Sequence, residues 1–287
     1  MPFLLRRIRN SVSKTALRQP VLWYRNRNWT ANDAFVGEYP KSGITWLRFL
    51  IYEALTRKPA TWVDVNRTII DRSFAAPVFA NGGRVIPTHE PYRQEYHKAV
   101  YIVRDARDVV LSEYAFEKAL GLFTGDLDQF IAAFLKGKVN GYGAWHKHVT
   151  SWLNAADAGK VKLLVVRYED MRADPEAKLA EIVKFYGGIP DAEVIRNAVH
   201  NNSLEKMRAK EDAARQVTAA PGGKAPLRKM QGTSSEGNRF VREGKVAGWR
   251  AKLTDEQVRL IELHAGAALS RLGYPLTTAT THAAIAG

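Results

Sequence analysis

With 287 residues, 46% hydrophobic content and no cysteine, the chain has the length for one large domain or two small ones, and it can hold no disulfide, thiolate metal site or cysteine nucleophile. A mean hydropathy of −0.29 fits a soluble globular protein, and no apolar run approaches the roughly 20 residues of a membrane span. The net charge of +14 is compatible with a solvated basic surface, nucleic acid, an anionic membrane or a small ligand carrying several phosphates; signatures of zinc fingers, basic zippers and RNP boxes are absent, so no nucleic acid is expected.

Residues 1–32 contain Arg6, Arg7, Arg9, Lys14, Arg18, Arg25 and Arg27, and the first carboxylate is Asp33. Leu4, Leu5, Ile8 and Val12 share one face of a helix, which makes the arm (residues 1–30) a candidate for peripheral contact with an anionic membrane. A helix that packs on the main domain explains the same pattern equally well. The composition also fits a mitochondrial transit peptide, whereas a secretory signal would need an apolar core that is missing. The expected location is cytoplasmic, with the arm as the peripheral element.

Ala34–Gly37 reads as the end of a buried strand, and Trp46, Leu47, Leu50, Ile51 and Leu55 recur at helical spacing. Between them lies Pro40-Lys41-Ser42-Gly43-Ile44-Thr45. A strand, a tight loop and a helix start aim backbone N–H groups at one spot, which suits a phosphate-like anion. Lys41 adds a charge, and Ser42 and Thr45 add hydroxyls. The order Lys-Ser-Gly is not that of the nucleoside-triphosphate loop, where Gly-Lys precedes a magnesium-binding Ser or Thr. The Gly-Lys pairs at Gly137, Gly159, Gly223 and Gly244 are followed by Val or Ala.

Residues 57–83 give few cues. Arg84–Ile86 is a short strand leading to Pro87-Thr88-His89-Glu90-Pro91, and Lys98–Val103 is a buried strand stopping at Arg104. Helices are expected over 106–120, 127–136, 142–156 and 176–186, with a strand over Val161–Val166 that ends at Arg167-Tyr168-Glu169-Asp170. Alternating strands and helices predict an α/β three-layer sandwich, a parallel sheet with helices on both faces and ligands beyond the strands' carboxyl ends. From Lys210 to Glu243 the composition turns to Ala, Gly, Lys, Pro, Ser and Asn, which reads as a mobile lid loop. A closing helix spans Leu253–Leu272, with Thr254 as its cap, and 275–287 reads as a flexible tail.

Four stretches carry a family resemblance. The loop Tyr39-Pro40-Lys41-Ser42-Gly43 resembles the 5′-phosphosulfate loop of cytosolic-type sulfotransferases, which use 3′-phosphoadenosine 5′-phosphosulfate (PAPS). The segment from Arg104 to Ser112 is similar to the 3′-phosphate motif of that family, and Arg242-Glu243-Gly244 through Trp249 is similar to its downstream glycine segment. In that segment Glu243 stands in place of lysine, and Ala247 in place of the second glycine. Thr88-His89-Glu90-Pro91 resembles the stretch that carries the family's base, with Pro87 where a lysine is expected, and Ile44 replaces a loop threonine. The resemblance spans about Phe35 to Arg250.

It implies a nucleoside-triphosphate-hydrolase-like fold, a sulfotransferase domain over 33–274, PAPS as cofactor and 3′,5′-adenosine bisphosphate (PAP) as product. By position, Lys41, His89 and Ser112 would be catalytic. Lys41, Ser42, Gly43, Ile44, Thr45, Trp46, Arg104, Ser112, Tyr168, Arg242, Glu243 and Gly244 would bind the cofactor, with Ser203-Leu204 a weaker match on the adenine side. The partner is a hydroxyl-bearing acceptor such as a glycan, lipid-linked sugar or small alcohol. His146 and His148 do not share a helix face, and no His pair has metalloprotease spacing, so no metal is implied. Two rival readings are an ATP-dependent kinase with an atypical loop and a non-enzymatic basic protein binding RNA or membrane. The rival for Arg104, Asp105, Arg107 and Asp108 is a surface ion-pair cluster.

Overall fold

The computed structural model describes residues 28–70, 75–219 and 244–277, together with Pro20 and Tyr24. Most of the basic arm, residues 220–243 with Arg242 and Glu243, and the tail from 278 lie outside the described residues.

Strands β1 (Ala34–Glu38), β2 (Val85–Thr88), β3 (Lys98–Val103) and β4 (Lys162–Arg167) form one parallel sheet in the order β2-β1-β3-β4. The helices are α1 (Ile44–Thr56), α2 (Trp62–Thr68), α3 (Ala106–Ala119), α4 (Leu127–Leu135) and α5 (Trp145–Asp157). They continue with α6 (Tyr168–Ala173), α7 (Pro175–Phe185), α8 (Ala192–Asn201), α9 (Leu204–Ala219) and α10 (Asp255–Arg271).

The strands are apolar on both sides because both sides are covered, as parallel sheets require. On one face Leu47, Leu50, Leu179, Ile182 and Ile195 pack with Val36, Val100 and Ile102. On the other, Val109, Phe130, Phe134, Ile261 and Leu269 pack with Phe35, Tyr101 and Val103. Trp152 stacks on Tyr96, with ring centroids 5.2 Å apart and an interplanar angle of 1°. Gly37 leaves room for Trp152: a Cβ there would stand 2.9 Å from Cζ2 of the indole. The expected three-layer sandwich is the observed architecture.

Several boundaries differ from expectation for local reasons. β2 runs on through Pro87 to Thr88, and Pro87 pairs with Val36 on a strand at the edge of the sheet, where a missing N–H is tolerated. α5 starts at Trp145 rather than 142, after Gly143 with φ +86°. Within the stretch of few cues, Thr61 caps α2 by accepting from Asp64 N–H. The lid cannot start at Lys210, because α9 is helical to Ala219. Met207 and Ala214 are buried, Lys210 pairs with Glu53, and Arg215 pairs with Glu211 one turn before it. The alanines that marked the segment as loop-like are strong helix formers.

Candidate functional site

The sheet order sets out four strand ends in a row: His89 after β2, the Lys41–Thr45 loop after β1, Arg104 after β3 and Tyr168 after β4. The order reverses between β1 and β3, and in open α/β sheets this switch point is where ligands bind.

The loop is strained in the way an anion cradle requires. Lys41 has φ +75° and Gly43 φ +115°. Side chains rarely adopt such values, and they turn successive N–H groups inward. Ile44 buries its side chain in the core, so the hydroxyl lost from that position leaves the N–H in place. The hydroxyl of Ser42 is fully buried with no hydrogen-bond partner among the described residues. An orphaned buried hydroxyl is costly, and an oxyanion in the loop would satisfy it. Thr45 and Trp46 are half-buried at the start of α1. Lys41 extends towards α3, its Nζ lying 4.0 Å over the Phe116 ring.

The loop already holds an acidic group that the motif reading missed. Glu38, the last residue of β1, accepts the Ile44 N–H at 2.8 Å through Oε2. Burial pushes its carboxyl up to about 8, partly offset by the N–H groups of Ile44, Gly43 and Ser42 and by Lys41. Its other oxygen, Oε1, lies 3.3 Å from Nδ1 of His89. The signal was an acid placed directly between a buried strand and an anion loop, where burial without a purpose is costly. The His89 backbone is fixed from below: its carbonyl accepts from Nε2 of buried His148 at 3.0 Å, and Nδ1 of that ring accepts from the Tyr101 hydroxyl at 2.9 Å.

A second buried carboxylate, Glu113 of α3, accepts from Asn140 at 2.6 Å, and Asn140 also donates to the Tyr39 hydroxyl at 2.9 Å. Burial pushes Glu113 up to about 8 as well, and Lys41 again works in the opposite direction. The single loop lysine is therefore felt by both carboxylates.

At the β3 end, Arg104 stacks over Tyr168 at 4.8 Å and donates to the Lys245 carbonyl at 2.8 Å. Tyr168 in turn donates to the Gly244 carbonyl at 3.3 Å. The structure thus brings Arg104, Tyr168 and Gly244 together across distant stretches of sequence. Ser112 is buried further along α3. Asp108 ties the assembly down, accepting from Ala247 N–H and Trp249 N–H at 2.9 Å each.

The ion-pair alternative is right about the pairs and wrong about the surface. Arg107 is buried, bridging Asp105 at 2.6 Å and Glu262 at 2.7 Å beneath Trp249, and Arg104 pairs with buried Asp108 at 3.6 Å. Trp46 donates its indole N–H to the Asn202 carbonyl at 2.8 Å and meets Tyr168 edge-on at 6.3 Å. Its ring orientation is therefore preset, next to the Ser203-Leu204 stretch.

The chain matches the family model described as the sulfotransferase domain over residues 31–273. Mouse sulfotransferase 1A1 is 29% identical over 261 residues, covering 83% of this chain and 85% of that protein. Its bovine counterpart is 28% identical over 254 residues, covering 81% and 82%. Among solved structures, a mouse sulfotransferase complexed with PAP superposes with a TM-score of 0.65 at 23% identity, over 89% of this chain and 93% of that one. Retinol dehydratase in complex with androsterone and inactive cofactor PAP gives 0.62 at 19% identity, over 83% and 80%. These two likenesses carry the fold, and the family model carries the rest: the chain belongs to the sulfotransferase family.

Proposed function

We propose that the row of strand ends divides the reaction among its residues. PAPS, when bound, supplies an activated sulfuryl group and leaves as PAP. The loop N–H groups with Ser42 and Thr45 hold the 5′ side, and Lys41 neutralises the charge that grows on the departing oxygen. Arg104 and Ser112, with Arg242, the backbone N–H of Glu243 and Gly244, hold the 3′-phosphate. Trp46 and Tyr168 border the adenine. His89 takes the proton from the acceptor hydroxyl, a task suited to an imidazole at neutral pH.

The observation that supports this division most is the sheet order itself, which sets His89, the loop, Arg104 and Tyr168 side by side on neighbouring strands. The buried, partnerless Ser42 hydroxyl fits an oxyanion at the loop. The test is thermal stabilisation by PAP, by ATP with magnesium, and by an oligonucleotide in parallel. A ligand at ~100 times its Kd adds roughly 2.7 kcal/mol. Stabilisation by PAP alone is expected, and a response only to ATP with magnesium would favour a kinase.

The acceptor is a hydroxyl compound, and we assign it to the glycan or lipid-linked class on the strength of the basic arm. Deleting residues 1–30 should reduce pelleting with anionic liposomes, each basic residue near the surface counting for ~1 kcal/mol. Turnover of a soluble acceptor should stay unchanged. A full chain that does not pellet would return the arm to a packing role.

A further inference from the structure

Glu38 touches two parts of the site at once. Its side chain is 3% exposed, that of His89 is 40% exposed, and the contact between them follows from register. β1 and β2 are neighbours with Gly37 opposite Thr88, so the next residues, Glu38 and His89, leave adjacent strand ends. Oε2 is held by the Ile44 N–H at 2.8 Å. Oε1 reaches Nδ1 of His89 at 3.3 Å, within ion-pair range but not aligned as a hydrogen bond. One carboxylate is thus shared between the donor loop and the ring.

We propose that Glu38 is the positioning residue of His89: Oε1 accepts the Nδ1 proton, which leaves the lone pair on Nε2 for the acceptor hydroxyl. This rests on His89 being the base. In the proton step the hydroxyl proton moves to Nε2, the Nδ1 proton stays on the ring, and Glu38 offsets the imidazolium charge in its ionised form, which burial opposes and the loop N–H groups, Lys41 and the imidazolium itself favour. A carboxylate behind an imidazole fixes both its tautomer and its orientation. The other groups facing Glu38 are Lys41 from the loop and Tyr101 from β3, and neither can substitute for an acceptor at Nδ1.

The test is nitrogen NMR of histidine-labelled full-length protein with and without PAP, with the His89 signals assigned by their loss in His89→Gln. With PAP bound, neutral His89 should carry its proton on Nδ1. Glu38→Gln can keep its amide carbonyl on the Ile44 N–H, which presents the NH2 to Nδ1 and favours the opposite tautomer. That variant should lose about tenfold to a hundredfold in kcat, with the Kd for PAP changed less than about threefold. Glu38→Asp, still a carboxylate, should recover part of the turnover.

A merely loop-capping Glu38 would leave both tautomer and kcat unmoved in Glu38→Gln, and that result overturns the proposal. So does a wild-type His89 protonated on Nε2 with PAP bound, a readout that needs no Glu38 variant to fold. If His89→Gln retains turnover, the base assignment fails by itself, and the tautomer comparison separately decides whether Glu38 holds the ring.

Discussion

Tyr168 closes over Gly43 so tightly that a Cβ on Gly43 would stand 2.7 Å from Cδ2 of the tyrosine. The same tyrosine lies 3.3 Å from the corresponding position on Gly244. One ring therefore joins the first loop to the downstream glycine segment, and it does so where Gly43 has φ +115°.

Gly43→Ala should combine a steric conflict with backbone strain of about 1–3 kcal/mol. The variant is expected to melt at a lower temperature and to lose PAP affinity by more than about tenfold. Calorimetry and a PAP titration read the two effects separately. Unchanged affinity would mean that the loop does not bear on the donor.

Arg104 and Lys41 should fail in different ways. Arg104 is assigned to a phosphate whose charge is the same before and after transfer, so Arg104→Ala removes uniform binding. A charged hydrogen bond of roughly 1.5–3 kcal/mol predicts a KM for PAPS raised about tenfold to a hundredfold, with kcat nearly unchanged. The same variant should lose its preference for PAP over 5′-AMP. Lys41→Ala should depress kcat far more than it raises KM. Steady-state kinetics on both variants decides the matter, since equal losses of binding would contradict the division of roles.

His89→Ala should reduce kcat by at least ~100-fold while PAP binding holds. Near-normal turnover would move the base to a neighbour, with Glu90 the first to examine.

Two buried carboxyls give the ligand-free protein a pH signature. Burial pushes Glu38 and Glu113 up to about 8 in the folded state, against about 4.3 in an unfolded chain. Between those values the folded state keeps protons that the unfolded state has released. Their contribution is therefore complete below the unfolded pKa and drains away as pH rises through the folded one. The melting temperature should fall as pH rises from about 4.3 to about 8, and Glu113→Gln should flatten part of the slope. Calorimetry across that range checks it, and a rising melting temperature would contradict it.

The architecture was legible wherever burial was complete. Lys98–Val103 is apolar throughout because helices cover both sides of the sheet, and the Arg104 that follows marks its end. The loop was legible because Pro40, Lys41 and Gly43 signal a turn between two apolar periodicities. α9 was not, since Ala213, Ala214 and neighbouring lysines carry the composition of a linker and gain their helical support from Glu53 and Glu211, partners outside the local pattern or one turn away. Glu38 was missed for a related reason. Its role depends on β2 lying beside β1, a pairing between positions about 50 residues apart that no window of sequence displays. The contacts of Arg104 with Tyr168 and Lys245 are likewise products of the sheet order and of chain return.

The two N–H groups that hold Asp108 come from residues 139 and 141 positions downstream. During synthesis α3 leaves the ribosome long before Ala247 and Trp249, so for most of translation this carboxylate lacks the partners that its burial demands. The sheet has all four of its strands by Arg167 and can collapse early, whereas the contacts of Arg104 with Lys245 and of Asp108 with Trp249 wait for the chain's return. Contacts of such long sequence separation form late, after the loop-closure entropy has been met. On the proposed assignment of Arg104 to the 3′-phosphate, a nascent chain halted before residue 244 would pair its sheet but leave the nucleotide site unfinished. Premature release should then yield a protein that collapses yet fails to retain the nucleotide.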